Sequence, residues 1–460
     1  MAIKLTDIVY QNRWWKGDGW EANDQDLRKV NIYLKRKNIE VKRGGLTLLR
    51  GVRRSGKTVY VKKLVQHLIE DGVDPKNILY LSCDRHTRFE IRNFIRELMV
   101  RRGECFVFLD EITYMDRWDL FLKETMERGG ITLVATGSNP IRIKNGGDRL
   151  PGRGIEGNEY YIGPLSFREY VEALIDVEPV IEHDILRTAI HNVKGLDVHF
   201  SSYSPKADDL IAFHDDLERL FYNYLLTGGF PNAITDHIKN GNMDSSTYET
   251  LIRVILGVFA KEGRNEEFAR VILEKLLDLR SSGTGLISIS RDTGIHHNTV
   301  RDYLELLEEA RVIFVLQSWD IERGRLAPKK KRKMVFQSPL IATALHVFLK
   351  GGGWEEAQNF VDRRMESLVE DTVATHLIWT EEIPTMREKH SFAGFYYDRR
   401  ECDFVMRKKE DFFGFETKYG KLKRANYPFK TLYLTKDIID TDALPTSLFL
   451  FGLKKGKGGI

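Results

Sequence analysis

One short segment, GVRRSGKT at residues 51–58, constrains this chain most, because it fits the phosphate-binding pattern G-x-x-x-x-G-K-[ST]. An apolar run, Leu46–Leu49, precedes it and predicts a buried strand. Apolar residues at helical spacing follow it at Val61, Leu64, Val65 and Leu68. Strand, glycine loop and helix therefore come in the order that a P-loop requires. The alternative is a bare glycine turn before an ordinary helix.

The residue types in this segment suit the phosphates of a nucleotide. Gly51 and Gly56 let the backbone curl so that its N–H groups face phosphate oxygens, and the start of the following helix adds its positive dipole. Lys57 can reach the β- and γ-phosphates, and Thr58 can offer its hydroxyl to Mg²⁺. We therefore predict a site for ATP and Mg²⁺.

Two carboxylates follow the apolar run Cys105–Leu109. Asp110, at the end of this predicted strand, suits coordination of Mg²⁺ through water or Thr58. Glu111 can polarise the attacking water as a general base. An acidic pair that only caps a loop is the alternative, and the P-loop upstream argues against it.

A second strand, Ile131–Ala135, also ends in small polar residues. If it lies between the P-loop strand and the Asp110 strand, Thr136, Ser138 or Asn139 could contact the γ-phosphate. A polar turn with no such role remains the alternative.

Length and composition set limits on the rest of the chain. A chain of 460 residues is expected to form two to four domains, and its net charge of +4 means that a nucleic-acid role must depend on local basic patches. The three cysteines, Cys83, Cys105 and Cys402, show no metal-ligand spacing and favour a reducing compartment. Neither a signal peptide nor an apolar run of membrane-spanning length is evident, so we expect a cytoplasmic protein.

Alternating apolar runs and helical patterns predict a parallel α/β sheet from Leu46 to about Gly163. The predicted strands are Leu46–Leu49, Ile78–Leu81, Phe106–Leu109, Ile131–Ala135 and Tyr160–Ile162. Before them, the aromatic residues Trp14, Trp15 and Trp20 are expected to pack on this domain rather than to stack on bases. After Pro164 the pattern is helical to about Leu279.

A helix-turn-helix is predicted within residues 288–307, with Gly294 in the turn and Ile295 plugging the core. Val300, Tyr303, Leu304 and Leu307 are expected to face inward, and Arg311–Leu316 to form the first wing strand. His296, His297, Asn298 and Arg301 on the outer face suit contacts in a nucleic-acid groove. Nearby acidic residues (Asp302, Glu305, Glu308 and Glu309) would repel phosphates, so a protein-packing role stays open.

The basic run Lys329–Lys333 resembles a nuclear localisation signal. It is better explained as a solvated hairpin or as a wing that contacts phosphates, because it precedes the next predicted strand.

The C-terminal region contains a second group of carboxylates. Glu370 lies on a helix predicted to be amphipathic, Asp403 on one strand, and Glu416 and Lys418 on one face of the next strand. The carboxylates could bind a divalent cation, and Lys418 could orient water. This pattern resembles the PD-(D/E)-x-K nuclease core, although it lacks the proline. Alternating charge on an exposed strand is the alternative, and a nuclease-like fold would not guarantee cleavage.

Several motifs together resemble a family of prokaryotic, especially archaeal, AAA-type ATPases (AAA_14/DUF4143-like). They are the G-x-R-R-x-G-K-T loop, Asp110-Glu111-Ile112, Trp118, Thr136-Gly137-Ser138, Gly152-Arg153, PLSFREY at 164–170 and GGFP at 228–231. The resemblance implies an arginine finger at Arg153, with Arg149 as second choice, acting in cis or in trans. It also implies a nuclease-like C-terminal domain.

The expected fold is α/β, with a P-loop AAA-type parallel-sheet domain, a helical segment, a winged helix and a C-terminal restriction-endonuclease-like α/β domain. The expected bounds are 1–40 for a lead-in, 41–165 for the ATPase core, 166–265 for the helical segment, 266–325 for the winged helix-turn-helix and 326–460 for the nuclease-like domain. The expected function is ATP hydrolysis coupled to action on nucleic acid, with DNA favoured, by a protein that has a metal-dependent nuclease-like domain. The alternative is a conformational switch or DNA-remodelling ATPase that binds partners or DNA without cleavage.

The site residues fall into three groups, and a homo-oligomer is left open. The expected catalytic residues are Glu111, Arg153, Glu370, Asp403, Glu416 and Lys418. The expected nucleotide-binding residues are Gly51, Arg53, Arg54, Ser55, Gly56, Lys57, Thr58, Asp110 and Ser138. The expected metal ligands are Thr58, Asp110, Asp403 and Glu416.

Overall fold

The parts of the chain that the computed structural model describes are residues 5–28, 39, 41–52, 54–137, 158–175, 208–279, 283–327, 331–381 and 388–453. Contacts divide the chain into two compact parts. Unit 1 comprises residues 1–163 with 458–460, and unit 2 comprises residues 164–457.

A parallel sheet of five strands forms the centre of unit 1, as the apolar runs predicted. Its strands are β1 (Leu46–Arg50), β2 (Ile78–Ser82), β3 (Cys105–Asp110), β4 (Ile131–Gly137) and β5 (Glu159–Tyr161). The strand order is β2-β3-β4-β1-β5, so β4 lies between the P-loop strand and the strand that ends in Asp110. The carboxyl ends of these strands therefore meet at one edge of the sheet.

Helices flank this sheet and bury both of its faces. They are α1 (Leu5–Gln11), α2 (Gln25–Arg28), α3 (Lys57–Glu70), α4 (Arg88–Arg102) and α5 (Trp118–Met126). Leu46 and Leu48 belong to one apolar cluster, whereas the next residue, Leu49, belongs to another. This alternation explains why the strands of a sheet covered on both faces are almost entirely apolar.

The segment before the sheet packs against the edge strand β2 within unit 1. Trp14 and Trp20 are buried, and their rings meet edge to face with centroids 5.0 Å apart. The indole N–H of Trp14 donates to the carbonyl of Ile78 on the edge strand β2. The structure thus agrees with the expectation that this aromatic cluster packs rather than stacks on bases.

The first part of unit 2 is helical in its described residues, as predicted. Its helices are α6 (Phe167–Leu174), α7 (Asp208–Ile211), α8 (His214–Thr227), α9 (Pro231–Asn240), α10 (Ser245–Lys261) and α11 (Glu266–Asp278). None of the helices in the described ranges is long and apolar enough to cross a membrane.

Two helices and two strands follow in the order expected for the predicted helix-turn-helix. They are α12 (Leu286–Thr293), α13 (His297–Glu309), β6 (Ile313–Gln317) and, after a short β7–β8 hairpin (Trp319–Asp320, Arg325–Leu326), β9 (Arg332–Phe336). Gly294 takes the left-handed conformation that ends α12, and the inward-facing apolar residues predicted on α13 are buried. The predicted domain boundary between residues 325 and 326 lies between β6 and β9 in the sequence. These two strands pair in antiparallel fashion, so they belong to the same part of the fold.

The C-terminal part of unit 2 combines helices with a mixed sheet. Its elements are α14 (Pro339–Lys350), α15 (Trp354–Arg363), α16 (Met365–Trp379), β10 (Ala393–Tyr397), β11 (Glu401–Lys408), β12 (Asp411–Lys418), β13 (Lys430–Thr435), β14 (Ala443–Pro445) and α17 (Thr446–Gly452). Strands β10, β11 and β12 form an antiparallel meander, and β13 then pairs with β12 in parallel.

Three expectations about unit 2 were wrong. Helix α16 is not amphipathic, because almost every residue from Leu368 to Ile378 is buried. Glu308 does not face solvent: it is buried, and the ammonium of Lys389 lies 2.5 Å from its carboxylate. Lys333, expected in a solvated basic run, is only 2% exposed. Both buried charges are paired, as burial of a charge requires.

Two adjacent glycines allow the close packing of α8 in unit 2. A side-chain carbon at Gly228 would lie 2.2 Å from the hydroxyl of Ser338, and one at Gly229 would lie 2.3 Å from the carbonyl oxygen of Leu165. Both glycines also have positive φ angles, of 59° and 75°. Neither position has room for a larger residue.

We predict that Gly229→Ala lowers the free energy of unfolding by about 3 kcal/mol or more, because backbone strain adds to the clash with Leu165. Gly241→Ala is the matched control: its φ is 70°, but nothing lies within 4 Å of the added carbon, so strain alone costs about 1 kcal/mol. Urea unfolding of both variants measures the difference. Equal losses would contradict the close approach.

Candidate functional site

The P-loop connects β1 to α3, and its path depends on glycine. A side-chain carbon at Gly51 would lie 2.2 Å from the carbonyl oxygen of Ile162, so the backbone can pass there only without a side chain. Gly56 and Arg54 both take left-handed conformations, with φ angles of 88° and 71°. Such residues turn neighbouring N–H groups toward one concave side, which suits an anion.

Lys57, the first residue of α3, is directed back over the loop. It is buried, and its ammonium donates to the carbonyl oxygens of Gly51 and Val52, each at 3.0 Å. Phosphate oxygens are charged and form stronger hydrogen bonds with an ammonium than carbonyls do. The amino group is thus already held where a β- or γ-phosphate would be bound.

Asp110 is the centre of a hydroxyl network at the carboxyl edge of the sheet. The hydroxyls of Thr58 and Tyr80 donate to one of its carboxylate oxygens, each at 2.7 Å, and that of Thr136 donates to the other. Asp110 is 3% exposed, so these bonds compensate for lost hydration. Thr58 comes from the P-loop helix, and this network therefore joins the two predicted motifs.

Glu111 differs from its neighbour in both conformation and surroundings. It takes the left-handed conformation, with φ 55°, and its side chain is partly exposed. Its backbone N–H donates to the hydroxyl of Thr136 at 3.1 Å. Thr136, on the central strand β4, thus contacts both acidic residues, through the Asp110 carboxylate and the Glu111 backbone N–H.

Tyr80 is a site residue that the sequence analysis did not identify. Burial, followed by the nearby Asp110 carboxylate, raises the pKa of its phenol well above the ordinary value. It therefore stays a hydrogen-bond donor. Asn12 holds the Tyr80 backbone through two bonds, in which Asn12 accepts from the N–H at 2.6 Å and donates to the carbonyl at 2.9 Å. The side chain of Asn12 thus acts like a neighbouring strand on the sheet edge.

The structure tests the fit of Mg²⁺ at this edge through the donor set. Thr58 offers a hydroxyl oxygen, and Asp110 offers a carboxylate beside it; hard oxygen ligands of this kind suit Mg²⁺. The residues therefore fit the predicted ion. Some candidate site residues lie outside the described ranges, namely Arg53, Ser138, Asn139, Arg149 and Arg153, as do Gly152, Lys329 and Lys330.

The C-terminal candidates also come together, on β11 and β12. The backbone N–H of Asp403 donates to Glu416 at 3.2 Å, and the N–H of Thr417 donates to Asp403 at 2.9 Å. Lys418 lies 2.6 Å from the other oxygen of Glu416. Asp403, Glu416 and Lys418, three of the four residues predicted for this site, are thus adjacent.

A lysine that was not predicted lies at the centre of this group. The ammonium of Lys333, on β9, is 3.0 Å from Asp403, 3.3 Å from Glu370 and 3.2 Å from Glu401. Its side chain is 3% exposed. We call Lys333 and the carboxylates of Glu370, Glu401, Asp403 and Glu416 the carboxylate cluster.

Burial and charge shift the pKa values within the carboxylate cluster. Burial alone would lower the pKa of Lys333, but Asp403, Glu370 and Glu401 together hold it well above the ordinary value. Burial raises the pKa of Glu370 to about 8, against the opposing effect of Lys333. Burial and Asp403 also raise the pKa of Glu416. Lys333 therefore stays charged, whereas Glu370 and Glu416 are costly to ionise.

The divalent cation predicted at Asp403 and Glu416 does not fit this arrangement. The position between Asp403 and Glu370 is occupied by the ammonium of Lys333. Among the described residues, no group of three or more His, Cys, Asp or Glu side chains is arranged as a metal site. The predicted carboxylates converge, but around a lysine.

Comparisons with known proteins concern the domain that contains the P-loop and Asp110. Residues 43–171 match a family model described as an AAA domain (AAA_14). They therefore form an AAA-type P-loop domain, the class that the fold and the loop geometry define. Residues 218–348 match a domain of unknown function (DUF8612). Neither match extends to residues 370–418, so the nuclease-like prediction remains a prediction.

Two individual proteins are similar to this chain in sequence, and one solved structure was also matched to it. Uncharacterized protein MJ1637 of Methanocaldococcus jannaschii is 26% identical over 375 residues, which cover 77% of this chain and 71% of that protein. An uncharacterized protein of Haemophilus influenzae is 23% identical over 384 residues, or 80% of each chain. A structure of the Aeropyrum pernix ORC1 protein in complex with DNA covers 72% of this chain and 95% of its own at 14% identity. Its TM-score, 0.27, is too low to indicate a shared fold.

We predict that Lys333→Met lowers the free energy of unfolding of unit 2 by about 3–5 kcal/mol, because the buried carboxylates lose their shared cation. Lys331→Met is the matched control, since Lys331 is exposed and lies two residues away on the same segment. Thermal and urea unfolding give the comparison. Similar small effects in both variants would show that the cluster does not depend on Lys333.

Proposed function

We propose that this chain binds and hydrolyses ATP and couples hydrolysis to action on nucleic acid, with DNA as the favoured class. The observation that supports ATP hydrolysis most strongly is the joining of Thr58, Thr136 and Tyr80 at Asp110. This network places the P-loop helix, the central strand and the acidic strand end in one fixed arrangement. An AAA-type domain uses such an edge for phosphoryl transfer.

Each group at this edge has a distinct proposed role. The loop N–H groups and Lys57 bind the β- and γ-phosphates, and Thr58 with Asp110 holds Mg²⁺. Bound Mg²⁺ supplies positive charge that offsets the charge of the transferring phosphoryl group. Glu111, one residue beyond Asp110, accepts a proton from the attacking water as general base. Arg153, with Arg149 as second choice, remains the proposed arginine finger.

The expected result for Lys57→Ala is loss of both nucleotide binding and hydrolysis, because the phosphate charge loses its partner. Glu111→Gln is expected to keep ATP bound while hydrolysis falls by about 10²-fold or more, since only water activation is removed. Binding of a fluorescent ATP analogue and release of phosphate separate the two effects. Glu104→Gln, which changes an exposed carboxylate of the same unit, is the control and is expected to change neither. Equal loss of binding in Lys57→Ala and Glu111→Gln would contradict the assignment.

Support for nucleic-acid contact comes from the α12–α13 pair and the β6–β9 strands. Helix, turn, helix and strand pair in this order are typical of winged-helix domains, whose second helix enters a groove. His297, Asn298 and Arg301 are exposed on α13. Burial of Glu308 against Lys389 removes one of the acidic side chains that would repel phosphates. The outer face of α13 is thus less acidic than its sequence implies.

Arg301→Ala is expected to weaken DNA binding and to lower the slope of log affinity against log salt by about 1, as loss of one phosphate contact does. Arg253→Ala is the control, because Arg253 is also exposed on a helix of unit 2 but lies on α10. Fluorescence anisotropy on duplex DNA at several salt concentrations measures both. Equal affinity and equal salt dependence in the two variants would show that Arg301 does not contact DNA.

A specific observation favours a second candidate for the C-terminal part of unit 2, namely DNA or partner binding without cleavage. Helix α16, the antiparallel β10–β11–β12 meander and the parallel β13 have the order of a restriction-endonuclease-like fold, which supports the predicted architecture. Yet Lys333 stands between the carboxylates that would bind metal. Fold and cleavage are separable, and this arrangement favours the binding role.

A further inference from the structure

The amino group of Lys333 is placed by regular structure rather than by a flexible loop. Lys333 is the second residue of β9 and lies opposite Leu316 in the β6–β9 pair. Helix α16 packs against β9 and contributes Glu370, while β11 contributes both Glu401 and Asp403. Three elements therefore meet at one ammonium group.

The carboxylates have more acceptor capacity than this ammonium uses. One oxygen of Asp403 accepts from Lys333, and the other accepts from the N–H of Thr417. Buried oxygens of Glu370 and Glu401 lie 3.3 and 3.2 Å from the same ammonium and form ion pairs with it. Two buried oxygens are thus directed at an ammonium that already donates to Asp403, in the way that several ligands surround one metal ion.

A divalent cation and Lys333 cannot share this centre. A metal ion would need several of these oxygens at about 2.0–2.6 Å, which places it where the ammonium stands. At such separations in a buried site, two positive charges repel strongly. Either cation satisfies the carboxylates, and only one can be present.

We propose that Lys333 is a built-in cation that occupies a latent divalent-metal site in the carboxylate cluster and excludes metal from it. The cluster holds the fold of unit 2 together in the way that a structural metal ion would. Removal of the amino group frees Asp403, Glu370 and Glu401 as ligands. The inference does not depend on ATP hydrolysis, because the cluster and the P-loop belong to different units.

Titration of the full-length, nucleotide-free chain with Mn²⁺, followed by calorimetry, tests this proposal. The wild type and the control Lys331→Met are expected to show no Mn²⁺ site at the cluster. Lys333→Met is expected to gain one site per chain with affinity at least about tenfold tighter than any wild-type binding. The added substitution in Lys333→Met/Asp403→Asn should abolish that site, and Mn²⁺ should raise the melting temperature of Lys333→Met alone.

A second variant covers the case in which Lys333→Met does not fold. Lys333→Met/Glu370→Gln replaces a buried acid by its neutral amide together with the lysine, so the remaining carboxylates face less repulsion and Mn²⁺ is still expected to bind. The proposal is overturned if the wild type binds Mn²⁺ at a site that Asp403→Asn removes. It is also overturned if the variants without Lys333 gain no site, or stay unfolded at every Mn²⁺ concentration.

Discussion

A buried carboxylate must be compensated within the protein, and the two chemical centres of this chain meet that requirement differently. Asp110 accepts hydrogen bonds from three hydroxyls, which bring no positive charge. Asp403 faces the ammonium of Lys333, which does. The negative charge of Asp110 can therefore still attract a bound cation, whereas that of Asp403 is already neutralised by Lys333. This difference underlies the proposal of an ATP site in unit 1 and a metal-excluding cluster in unit 2.

Each unit also contains a close approach that a glycine makes possible. Gly51 lets the P-loop pass the carbonyl of Ile162, and the loop in turn fixes the start of α3 and hence Thr58. In unit 2, Gly228 lets α8 approach Ser338, just after the strand that carries Lys333. Packing without voids transmits such local constraints to side chains several residues away.

Local patterns on the sequence predicted much of this architecture. The five strands of unit 1, the P-loop and the buried positions of α13 follow from periodicity and glycine placement, which are set by neighbouring residues. Glu416 and Lys418 could be placed on one face because a strand alternates sides. These predictions required no knowledge of which elements are adjacent in space.

The contacts that define each centre join distant parts of the chain and could not be predicted in this way. Tyr80 reaches Asp110 across 30 positions, and Lys333 reaches Asp403 across 70. Lys333 lies in a basic run, where solvent exposure is the ordinary expectation. Glu308 was likewise expected to be exposed because it is charged, but it is buried in an ion pair with Lys389.

The most direct test of the two-centre interpretation is a crystal structure of the chain with Mn²⁺ and a non-hydrolysable ATP analogue, in which anomalous scattering locates the metal. The interpretation predicts Mn²⁺ beside Thr58 together with the nucleotide, and Lys333 in contact with Asp403 in a metal-free cluster. A Mn²⁺ ion coordinated by Asp403 and Glu416 with Lys333 in place, or a nucleotide bound away from residues 51–58, would contradict it.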